Sequence, residues 1–127
     1  MLYSSNIQAE FITEAITNEQ VIKDILCDIP YASVHWICNI KTSIKYTDLQ
    51  GECVEDKWFD CLKKGGALLI TENDEDMYPV HLIKYNDLDK AVSKIRKLPK
   101  FLIANNWDGT FADAIMQSAC FNEIVYD

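Results

Sequence analysis

The sequence predicts an α+β domain: a small antiparallel sheet of about three strands, covered mainly on one face by about four helices. Three observations carry that reading. Segments with apolar residues at three- and four-residue steps alternate with short β-branched runs. Two of those runs flank a short polar loop, as the arms of a hairpin do. The chain has 127 residues, 49% of them hydrophobic, which is material for one core. With only four Gly and three Pro, no internal repeat and no low-complexity stretch, residues 1–127 read as a single domain.

Residues 1 to about 16 show no clear period and read as an irregular or edge element. Thr17-Asn18-Glu19-Gln20 then has the Ser/Thr-x-x-Glu/Gln form of a capping box. Val21, Ile22, Ile25, Leu26 and Ile29 follow at helical spacing, predicting a helix over 18–28 that Pro30 ends. β-formers dominate from Ser33 to Tyr46, with Ile40, Thr42, Ile44 and Tyr46 on one side and Lys41 and Lys45 on the other. The alternation changes phase near Cys38-Asn39, which predicts a bulge there. Over 52–64 the stripe Val54, Trp58, Cys61 and Leu62 predicts a second helix with a buried face, stopped by Gly65-Gly66.

Residues 67–71 and 79–84 read as strands joined by the polar stretch 72–76, with Pro79 marking an edge or a strand start. Asn86 or Asp87 is placed to cap a third helix through Leu88, Ala91, Val92, Ile95 and Leu98, whose later turns carry Lys90, Lys94, Arg96 and Lys97 at the end the helix dipole favours. Pro99 stops it, and 101–104 is a short apolar run. Thr110 and Asp113 mark the start of a last helix through Phe111, Ile115, Ala119 and Cys120, and Ile124-Val125-Tyr126 closes the chain as a tail expected to dock on the core.

Composition limits the function classes. Twenty acidic residues against 12 basic ones give a net charge of −8, which repels phosphate and argues against direct binding to nucleic acid or to an anionic membrane. Arg96 is the single Arg, so bidentate phosphate recognition is nearly absent. No apolar run reaches the length of a membrane span, and the first residues lack the charge and apolar stretch of a secretory signal. The odd number of cysteines (Cys27, Cys38, Cys53, Cys61 and Cys120), most of them among apolar neighbours, reads as buried, reduced thiols in a reducing cytoplasm.

Catalytic and metal chemistry find little support. His35 and Cys38 are three apart, and on a regular strand they point to opposite faces. Zinc needs further ligands, and no CxxC pair or second His pair supplies them, with His81 the only other His. Cys53 falls in a first helical turn whose dipole lowers a thiol pKa, but Glu52 and Glu55 beside it act the other way. Gly65-Gly66 follows a helix instead of preceding one, so it is a cap and not a phosphate cradle. No catalytic residue, metal site or cofactor is implied, and the chain reads as a binding protein, not an enzyme.

The acids have an arrangement of their own. Glu52, Asp56 and Asp60 recur every four residues, about 6 Å per step along a helix, with Glu55 beside them. Together with Asp74-Glu75-Asp76 they form a candidate partner-binding surface that imitates a nucleic-acid backbone.

Four segments resemble small acidic proteins of Firmicutes phages and mobile elements: Ile16 to Glu19, His35-Trp36-Ile37-Cys38, Lys64-Gly65-Gly66, and Asp113 through Tyr126. The resemblance covers most of 16–127 and implies a setting, an accessory protein of a phage in the cytoplasm of its bacterial host, without assigning any residue a role. In that setting the acidic surface points to a stoichiometric inhibitor of a basic, nucleic-acid-handling host defence protein, as anti-CRISPR proteins are. The alternative is a homo-oligomeric phage accessory or structural protein that uses Trp36, Trp107 or the apolar C-terminal tail at its interface.

Overall fold

The computed structural model describes residues 16–74, 76–101 and 109–126, so the irregular element expected over the first residues, most of the 101–104 run, Glu75 and Trp107 lie outside the described residues. Among the described residues four helices, α1 (Asn18–Ala32), α2 (Val54–Lys63), α3 (Tyr85–Ile95) and α4 (Gly109–Phe121), accompany three strands, β1 (Ile37–Thr42), β2 (Ala67–Glu72) and β3 (Val80–Lys84). The strands form one antiparallel sheet in the order β1-β2-β3. This is the expected α+β arrangement.

Period-2 alternation divides the sheet. Leu68 and Ile70 of β2 face inward, flanked in register by Ile83 and His81 of β3 and by Thr42 and Ile40 of β1. Helix α4 lies at the centre of the helical layer, packed on both α1 and α3, and is accordingly buried nearly all round from Phe111 to Ser118. Val21, Ile22, Ile25, Leu26 and Ile29 of α1, Leu88, Ala91, Val92 and Ile95 of α3, and Trp58 and Leu62 of α2 complete one core.

Local chemistry explains most boundaries. Thr17 is extended and its hydroxyl accepts the Gln20 N–H at 3.1 Å, capping α1. Gln20 itself reaches forward to Asp24 instead of back, so only half of the box is made. Pro30 does not end α1, which continues to Ala32. Its ring is exposed and only the last turn lacks a ladder donor, while buried Ile29 holds that turn and accepts the Ser33 N–H at 3.0 Å.

The bulge expected at Cys38-Asn39 is present as a register shift between Ile37 and Asn39. Strand β1 is shorter than the run of β-formers, because after Thr42 the chain turns and Tyr46–Asp48 form a 3-10 turn. Asp87 occupies the third position of α3, not its cap, and its carboxylate accepts the Lys84 N–H at 2.9 Å. Leu98 falls beyond α3 and is exposed. Helix α2 starts at Val54, so Val54 overhangs the core and is 43% exposed, not buried with Trp58, Cys61 and Leu62.

Helix α2 ends in a Schellman arrangement: the Gly66 N–H bonds to the Cys61 carbonyl at 2.9 Å and the Gly65 N–H to the Leu62 carbonyl at 3.1 Å. Gly65 has φ +84°, and a Cβ added there meets nothing within 4 Å. The requirement for glycine is therefore one of backbone conformation. We expect Gly65→Val to lower stability by about 1 kcal/mol or more, since a β-branched residue is disfavoured at positive φ. A thermal melt of the variant matching wild type would contradict this account of the helix end.

Candidate functional site

Two clusters of polar side chains stand out, one inside the protein and one on its surface. The inner cluster is built on Asp113 of α4, whose side chain is only 14% exposed. Its carboxylate accepts from Ser33 Oγ at 2.5 Å, Trp36 Nε1 at 2.7 Å and Gln117 Nε2 at 2.8 Å. Gln117 is buried and all of its amide is used: Nε2 also donates to the Tyr126 carbonyl, and Oε1 accepts the N–H groups of Val125 and Tyr126. The tail therefore docks as expected, but through its backbone and Tyr126, while Ile124 and Val125 stay exposed. The Tyr126 ring stacks on Trp36, and its hydroxyl donates to Glu72, whose other oxygen contacts His81 Nε2 at 3.1 Å.

Ser33, His35 and Asp113 come together here, yet they do not form a nucleophile relay. Ser33 is fully buried and bonded directly to the carboxylate, and His35 stands 3.9 Å from Asp113 on the outside. The cluster ties the end of α1, the start of β1, α4 and the tail together. Trp36 is fully buried within it, which removes that residue from the surface proposed for self-association.

The surface cluster lies where α1 and α2 run side by side in opposite directions. Glu19 near the start of α1 pairs with Lys63 at the end of α2, and Lys23 stands 5.9 Å from the centre of the Phe59 ring. One turn further along, exposed Cys27 is surrounded by acids. Its thiol is pushed up first by partial burial and then by the carboxylates of Glu55, Asp28, Asp24 and Asp56. Among the described residues no Lys, Arg or His nitrogen lies within 4 Å of any of these four carboxylates. Tyr31, on the same face of α1 and 82% exposed, adjoins them.

The acids singled out in the sequence are therefore distributed differently from the expected line. Glu55 and Asp56 belong to the α1–α2 surface. Glu52 is exposed but precedes α2, and so is not on its helical ladder. Gly51, with φ +141°, brings this preceding chain so close that a Cβ there would stand 2.4 Å from the Cβ of Asp56. Asp60 is neutralised locally: it pairs with Lys64 at 2.7 Å and accepts the Gln50 N–H at 2.8 Å, and these contacts, the Lys64 bond first, hold its carboxyl below the usual range. Asp74 and Asp76 sit in the β2–β3 turn, where Asp74 accepts the Asp76 N–H and acts on Tyr126, not on Cys27. Asp24, Asp28 and Tyr31 were not found from sequence, because each is unremarkable until α2 is laid beside α1.

The cysteines also depart from expectation. Only Cys61 is buried and Cys120 half-buried, whereas Cys27, Cys38 and Cys53 are exposed. Apolar neighbours in sequence occupy the opposite faces of α1 and β1. At Cys53, the cap residue of α2, the backbone contact with Asp56 lowers the thiol pKa but Glu55 and Asp56 outweigh it, so the thiol is raised. Burial pushes Cys120 up to about 12. Among the described residues no group of three His, Cys, Asp or Glu side chains is placed to hold a metal, and no helix is long and apolar enough to cross a membrane. No protein-family model matches the chain, and neither does any curated protein or solved structure.

Two predictions follow from this geometry. The bond to Glu72 raises Tyr126 to about 12, so the folded protein holds that phenolic proton more tightly than the unfolded chain, where the pKa is about 10. The stabilisation is full below about pH 10 and is lost as the pH rises towards 12. Denaturant titrations should show Tyr126→Phe less stable at neutral pH, with the gap to wild type closing over that window, and a constant gap would refute the linkage. Thiol titration of native protein should label Cys27, Cys38 and Cys53 rapidly and Cys61 and Cys120 only after unfolding. Stoichiometric zinc that survives dialysis against a chelator would contradict the assignment of these thiols as free.

Proposed function

We propose that this protein is a non-catalytic, phage-derived binding protein whose α1–α2 acidic surface covers the basic groove of a nucleic-acid-handling host defence protein, as anti-CRISPR inhibitors do. The observation that carries this reading is the convergence of Asp24, Asp28, Glu55 and Asp56 from two helices around Cys27 with no cation within ion-pairing distance among the described residues. Like charges held together destabilise the free protein, and that strain is relieved when a basic surface covers them.

The deployment of cations supports the same reading. Arg96 donates to the Ile16 carbonyl and to Asn18 Oδ1, both at 2.8 Å, and Lys63 and Lys64 are bound to Glu19 and Asp60. The other cations carried by the two helices, Lys23 and Lys57, lie over the Phe59 and Tyr46 rings, 5.9 and 5.5 Å from their centres, and not within 4 Å of the four carboxylates. Exposed Tyr31 provides a large ring beside the acids, suited to stacking on a partner's Arg or Lys. The phage setting rests on the likeness of 16–19, 35–38, 64–66 and 113–126 to small acidic phage proteins. A cytoplasmic site of action belongs to that same setting.

The test compares two variants of equal net charge. Asp28→Asn/Glu55→Gln/Asp56→Asn neutralises the α1–α2 surface, and Asp48→Asn/Asp76→Asn/Glu123→Gln neutralises acids elsewhere, each raising the charge of −8 by three. With the partner identified by affinity capture from host lysate, titrations at low and moderate salt should show the first variant binding at least about tenfold more weakly, through slower association, and with a shallower salt dependence. The second should stay close to wild type. Equal losses in both, or none in either, would overturn this surface as the binding face.

A further inference from the structure

We propose that β3 is a self-association edge, pairing antiparallel with β3 of a second copy across a two-fold axis to join the two sheets into one. This pairing neither uses nor needs the acidic surface of α1 and α2. The strand order leaves β3 with β2 as its one neighbour among the described residues. The Glu72 N–H bonds to the Pro79 carbonyl at 2.8 Å, and Thr71 is in register with Val80, so Pro79, His81 and Ile83 turn their main-chain groups towards β2. Val80, Leu82 and Lys84 turn theirs away from the sheet. Asp87 takes the Lys84 N–H, and the outward groups of Val80 and Leu82 have no partner among the described residues.

The two edges of the sheet are treated differently. Open edges are ordinarily protected by bulges and outward charges. Strand β1 has both, a bulge at Cys38 and exposed Lys41. Strand β3 has an unbroken register with β2, and its solvent face carries Val80 at 56% and Leu82 at 61% exposure. Across the outer face the rows run Lys41–Leu69–Leu82 and Asn39–Thr71–Val80, so apolar surface is concentrated at the β3 side.

Charge selects a second copy as the occupant. Strand β3 is entered from the turn carrying Asp74 and Asp76 and leaves through exposed Lys84. The Asp87 carboxylate at this end is committed to the Lys84 N–H, while the Lys84 ammonium has no ion pair among the described residues. The uncommitted side-chain charges at the two ends are therefore opposite, and the best electrostatic match is the strand's own inverted copy. With Leu82 on the two-fold axis, Leu82 main-chain groups exchange hydrogen bonds and the Val80 N–H donates to the partner's Lys84 carbonyl. Each Lys84 side chain then lies beside the other copy's acidic turn. Parallel pairing would set like charges together.

Sedimentation equilibrium from micromolar to near-millimolar protein tests this directly. The average mass should rise from 14.6 kDa towards twice that value. Leu82→Lys places like charges across the axis at a solvent-facing position and should weaken self-association about tenfold or more, with the circular dichroism spectrum unchanged. Lys84→Glu and Asp76→Lys should each weaken the dimer, and the double variant should recover it, since only an antiparallel two-fold brings those ends together. A protein monomeric at every concentration, a dimer that Leu82→Lys leaves intact, or a double variant no tighter than the singles would overturn the assignment.

Discussion

The part-buried carboxylate of Asp113 is the constraint on which the rest of this structure depends. It gathers donors from Ser33 and Trp36, some eighty residues earlier in the chain, and from Gln117 on its own helix. A carboxylate with little access to water is tolerable only if hydrogen bonds replace its hydration. Supplying them sets the end of α1, the start of β1 and the position of α4 at the same time. Gln117 extends the same logic to the tail, and Tyr126 returns it to the sheet through Glu72. Because a donor left facing this site would be buried without a partner, the members of the network are expected to be cooperative, each supporting the geometry of the next.

With the inside held by an acid and neutral donors, the chain's few cations are free to do a different job. Arg96 clamps the entrance of α1 against the end of α3, Lys63 pairs α2 with Glu19 of α1, and Lys64 bonds to Asp60 one turn back and to the Asp48 carbonyl in the loop before α2. Of these links the Lys63–Glu19 pair is the one that spans α1 and α2, at the end away from Cys27. Exposed ion pairs of this kind add little stability. Their consequence is distributional: neutralised acids lie at the Lys63–Lys64 end of α2 and unneutralised ones at the other.

Much of the fold is legible in the sequence because its signals are local. The Thr17 cap, the phase change at Cys38-Asn39 and the Gly65-Gly66 stop each act over a few residues, and each appears where the pattern places it. Pro30 is the instructive exception. As a local signal it ends a helix, but the buried face of α1 extends to Ile29 and carries the last turn past it. Asp60 differs from the other acids of its line because it is neutralised, by Lys64 one turn on, a local pairing, and by the Gln50 N–H, which the loop before α2 brings back to it. Val54 has the right residue type and spacing for the core and still lies outside it, because helix α2 begins only at that residue.

The sequence by itself determined the class of the fold, the number of strands and described helices, most of their ends and the acidic balance of the chain. All of these follow from period, composition and short-range capping. Only the tertiary structure decided which acids keep their charge unopposed, which cysteines face solvent, that Trp36 is interior, and which sheet edge is left undefended. Each of those outcomes is a relation between segments far apart in the chain, and neutralisation, burial and edge pairing do not exist until the segments meet.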